Sequence, residues 1–100
     1  MIGSLEIAGR SILVKEVANN KLPDVYGHWH NDTQQITVRK SLLPIEKKDT
    51  VLHEVMHAIL TLQGRTYGGE VEELYVRSLA TGLVGVLRTN PEFAQWLIAS

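Results

Sequence analysis

The 100-residue chain contains no cysteine. This excludes disulfides and thiolate metal sites, and leaves histidine and carboxylate as the strong zinc ligands available. It also fits a reducing compartment. Aromatic residues make up only 6% and proline occurs three times, while 44% of residues are hydrophobic and 21% charged. That is an ordinary globular composition, with nothing in it that argues for disorder. Neither sign of charge dominates. A net charge of −1 and a pI near 6.4 give no basic footprint for nucleic acid, so no nucleic-acid partner is expected. No apolar run approaches the roughly 18 residues of a membrane span, and no charged segment followed by an apolar one opens the chain. A soluble cytoplasmic protein without a membrane partner is the expectation. At this length residues 1–100 are expected to form one domain around a single modest core.

The first 40 residues have strand character. Leu5–Ile7 and Ile12–Val17 flank a tight turn at Ala8-Gly9-Arg10, and residues 19–24 carry the turn residues of a loop. Residues 26–29 and 34–38 flank His30-Asn31-Asp32-Thr33 as a second hairpin. From Ser41 onward the pattern is helical. One helix spans Thr50–Gly64, with Pro44 suited to a first turn and Gly64 to a left-handed cap. A second runs from about Glu70 to Arg88, and a short third from Pro91 to Ile98. Strands first and helices after predict an α+β fold: a small antiparallel sheet followed by three helices.

The first helix carries His53-Glu54-Val55-Met56-His57, the His-Glu-x-x-His arrangement of zinc hydrolase helices. Positions i and i+4 stack on one helical face, so both imidazoles reach a single metal ion. Glu54 lies about 100° round the helix, too far to be a third ligand on that face but suited to hold a water and take its proton. Leu52, Val55, Met56 and Ile59 are expected to pack on the core, with His53, His57 and Leu60 as an adjacent stripe. Two imidazoles beside an apolar face need buried partners, and nothing nearby in sequence supplies one.

Catalytic zinc keeps three protein ligands and one exchangeable position. The start of the second helix offers Glu70, Glu72 and Glu73. Counting from Glu73, an inward stripe falls on Val76, Ala80, Leu83 and Leu87; from Glu72 it falls on Val76, Leu79, Leu83 and Val86. Both glutamates border the inward face, and periodicity alone does not separate them.

At residues 26–88 the chain resembles the gluzincins, and in its compact form the ImmA/IrrE-type and related small phage-encoded metallopeptidases. The resemblance lies in the motif helix followed by a glutamate on the next helix. In that group the ligand glutamate is followed by small and apolar residues at +3, +6 and +7. Glu73 is followed by Val76, Leu79 and Ala80, so the resemblance implies Zn2+ held by His53, His57 and Glu73, with Glu54 as catalytic base. One departure stands out: many gluzincins place Asn or Asp four residues after that glutamate, and this chain has Arg77.

The resulting expectation is a zinc metallopeptidase acting on a protein or peptide substrate. His28, His30, Tyr26 and Tyr67 are candidates to polarise a substrate carbonyl, and Arg77 and Arg39 to hold a substrate carboxylate. The competing expectation is a zinc-binding regulatory or interaction module with little turnover. No serine elbow or phosphate-cradling glycine loop is present.

Overall fold

A computed structural model describes residues 2–99. The fold is α+β. Strands β1 (Ser4–Ile7), β2 (Arg10–Val17), β3 (Gly27–His30) and β4 (Gln35–Arg39) precede helices α1 (Pro44–Leu62), α2 (Gly69–Thr89) and α3 (Pro91–Ile98). A short 3-10 turn over Asn19–Lys21 occupies the loop expected there. Ala8 and Gly9, both at positive φ (52° and 77°), close the first hairpin in the backbone sense that matches strand twist.

The sheet order is β1-β2-β4-β3. Both hairpins are antiparallel as expected, but β2 and β4 lie side by side in parallel, with Val14 opposite Ile36. The sheet is therefore mixed. The connection from Ala18 to Tyr26 carries the chain past β2, so that β4 lies between β2 and β3 and β3 becomes an edge. Strand turn residues report each hairpin but not how two hairpins join, which is why the parallel pair escaped the sequence reading.

Strand alternation sends Ile12, Val14, Trp29, Ile36 and Val38 to one face, where they form the core with Ile7 and Ala58. Helix α1 crosses that face. Val55 and Ile59 pack on the sheet as expected, together with Val51 and Leu62, whereas Met56 turns toward a groove shared with α2. Helix α1 starts at Pro44, the residue suited to a first turn, and runs unbroken into the Thr50–Gly64 segment; the Glu46 carboxylate accepts the Leu43 N–H at 3.0 Å and secures the first turn. Gly64 ends it with a left-handed φ of 68°. Helix α2 lays Val76 and Ala80 against α1. No described helix is long and apolar enough to cross a membrane.

Candidate metal centre

Helix α1 presents His53, Glu54 and His57 toward a cleft of about 730 Å³ that α2 and the β3 edge complete. The inward stripe of α2 is the one counted from Glu73: Val76 and Ala80 are buried, Leu83 and Leu87 partly so, while Leu79 and Val86 are exposed. This rotation aims Glu73 at the two histidines. Its Oε1 lies 2.8 Å from His53 Nε2 and its Oε2 2.9 Å from His57 Nε2. The two Nε2 atoms are 3.2 Å apart. His53, His57 and Glu73 thus offer three ligand atoms, all within 4.8 Å of one another, that can hold a metal ion.

Glu72 does something different. Its Oε2 meets His57 on the opposite ring nitrogen, Nδ1, at 2.6 Å, and its Oε1 accepts the Tyr67 backbone N–H at 3.1 Å. Adjacent residues on a helix diverge by about 100°, which lets Glu72 and Glu73 straddle one imidazole. Burial alone would push the Glu72 carboxyl upward, but hydrogen bonds from His57, Tyr67 and Gly68 outweigh it and hold the group below the usual range. His53 is held below its ordinary value, first by burial and then by the neighbouring His57, with Glu73 opposing. A depressed imidazole is neutral at physiological pH and has a lone pair to give a cation.

Glu54 is 8% exposed. Burial raises its carboxyl to about 7, Glu73 pushes it the same way, and His57 and the Trp29 backbone N–H oppose the rise. Gly27 covers it from β3, where a Cβ would collide with Thr50 Cγ2 at 2.6 Å and would touch Glu54 Cγ at an ordinary 3.4 Å. Trp29 closes the other side, its Nε1 donating to Thr61 Oγ1 at 3.3 Å.

Comparison with protein-family models, curated proteins and solved structures returns no match. The site must be read from its own chemistry. Two imidazoles and one carboxylate on a cleft are a donor set that zinc takes in hydrolases. Tetrahedral bonds of about 2.0–2.2 Å place ligand atoms roughly 3.4 Å apart, and the two ring nitrogens, 3.2 Å apart, are already close to that spacing.

The remaining candidates divide. Strand register sets His28 and His30 on the sheet face away from α1; His30 Nε2 lies 2.9 Å from Thr37 Oγ1, and the two rings meet edge to face at 4.5 Å. His28 still borders the cleft, as does Tyr26. Tyr67 instead lines the apolar groove between α1 and α2. Arg39 is engaged by the Leu22 and Pro23 carbonyls and stacks over Tyr26, so it is a structural clamp. Arg77, 71% exposed, stands 3.6 Å from Glu73. The sequence reading missed Gly27 and Thr61, because neither residue type advertises a role until β3 is laid beside α1.

Proposed function

We propose that the protein is a minimal zinc-dependent peptidase of the gluzincin type. One observation carries this reading: His53, His57 and Glu73 converge on one cleft with Glu54 buried at its wall beside an edge strand. A zinc ion on the three ligands would acidify a water and polarise a substrate carbonyl. Glu54 would then receive the proton of the attacking water and pass it to the departing amine nitrogen. Glu54 is 8% exposed and lines the same cleft as the three ligands. β3 lies at the sheet edge and borders the cleft through Gly27, His28 and Trp29, so an extended peptide adds to it as a further strand.

The test is a quenched-fluorescence peptide library incubated with zinc-loaded protein. Wild type should cleave members of the library. Glu54→Gln should retain its zinc and lose on the order of 10²–10⁴-fold in rate, because an amide has no basic site to receive the proton. Equal cleavage by the two proteins, or none by either, would remove the peptidase reading and leave a metal-binding module.

A further inference from the structure

We propose that Glu72 is a positioning residue that fixes the His57 ring for metal binding and couples metal affinity to the α1–α2 connection. This rests on the metal-site reading above and extends it to how the site is controlled. A carboxylate 2.6 Å from Nδ1 draws the ring proton to that nitrogen, which leaves the Nε2 lone pair facing His53 and Glu73. Arg77, one turn after Glu73, is 71% exposed and contacts Glu73 rather than a histidine. Support for His57 comes instead from the residue directly before the ligand.

A glutamate that only complemented the helix dipole would be solvated. The Glu72 side chain is 11% exposed and uses both oxygens, one on His57 and one on the Tyr67 N–H. The second contact reaches into the connection over residues 63–68, where Gly64 and Gly68 take left-handed backbone (φ 68° and 73°) and every residue is exposed. Gln63, Gly64 and Arg65 are tied to α1 by backbone bonds, and beyond them the Tyr67 N–H is held by the Glu72 carboxylate. Fixing the carboxylate on His57 also fixes the position of the oxygen that Tyr67 bonds. Coupling of this kind is reciprocal: metal orders the connection, and an ordered connection favours metal.

The experiment titrates zinc against a chelating dye and follows amide hydrogen exchange of the folded chain with and without zinc. Glu72→Gln should keep a stoichiometry of one zinc per chain and bind it on the order of 10–100-fold more weakly. Glu72→Asp keeps the negative charge but withdraws the oxygens by one methylene, and should also bind more weakly. It serves as the test variant if the amide variant does not fold. Glu70→Gln removes the same charge from the same first turn and should shift affinity by no more than about twofold, since an exposed charge is screened. In wild type zinc should slow exchange of the Tyr67 amide; in Glu72→Gln it should not. Wild-type affinity in Glu72→Gln and Glu72→Asp, or an equal loss in Glu70→Gln, would overturn the proposal while leaving the site intact. A wild-type chain that takes up no zinc would instead refute the metal-site reading, and the proposal with it.

Discussion

Replacing Glu54 with glutamine should stabilise the metal-free protein, and only above acidic pH. The folded carboxyl is raised from 4.5 to about 7 by burial, so the folded state holds its proton more tightly than the unfolded chain does. Below pH 4.5 the group is neutral in both states and has no effect. As pH rises from 4.5 to 7 the unfolded chain releases the proton first, so stability falls across that window. At about 1.4 kcal/mol per pKa unit the loss reaches about 3 kcal/mol and is complete above pH 7. Glu54 is only 8% exposed, so solvent screening removes little of this. Glutamine keeps the length and shape of the side chain but does not titrate. Thermal unfolding of both proteins in chelator, followed by circular dichroism, reads the difference directly. At roughly 4–8 °C per kcal/mol for a domain of this size, the variant's advantage in Tm should grow by more than about 10 °C from below pH 4.5 to above pH 7. Titrations of groups away from the cleft cancel in the comparison. A gap that stayed constant with pH, or closed as pH rose, would refute the buried-carboxylate argument.

The joint variant His53→Ala/His57→Ala should lose the single zinc expected per chain, since one carboxylate remains of the three ligands; full occupancy by elemental analysis would place the metal elsewhere. Glu73→Gln should weaken zinc binding more than Glu72→Gln does, because it removes a ligand rather than a support, and chelator competition giving the reverse order would exchange their roles. Gly27→Ala should destabilise the fold by about 1–3 kcal/mol through overpacking, as its Cβ meets Thr50 Cγ2 at 2.6 Å and the Thr37 carbonyl at 3.1 Å. Adding Thr50→Ser removes the nearer atom and should recover part of the loss; an unchanged Tm in Gly27→Ala would show that β3 does not approach α1 so closely.

Local order was legible in the sequence because it depends on neighbours along the chain. The two hairpins, the three helices and the left-handed stop at Gly64 all follow from turn residues and periodicities within a few positions. So does the shared face of His53 and His57, since helical spacing alone puts them together. The choice between Glu72 and Glu73 did not follow, because both border the inward stripe of α2 and only the rotation of α2 against α1 separates them. Packing of Val76 and Ala80 sets that rotation, and the same rotation gives Glu73 the two Nε2 atoms and Glu72 the Nδ1 of His57. The parallel β2–β4 pair and the burial of Glu54 under Gly27 were likewise decided by tertiary structure. Residues 14 and 36, or 27 and 54, are brought together by the whole core, and a contact at such separation leaves no periodic trace in the chain.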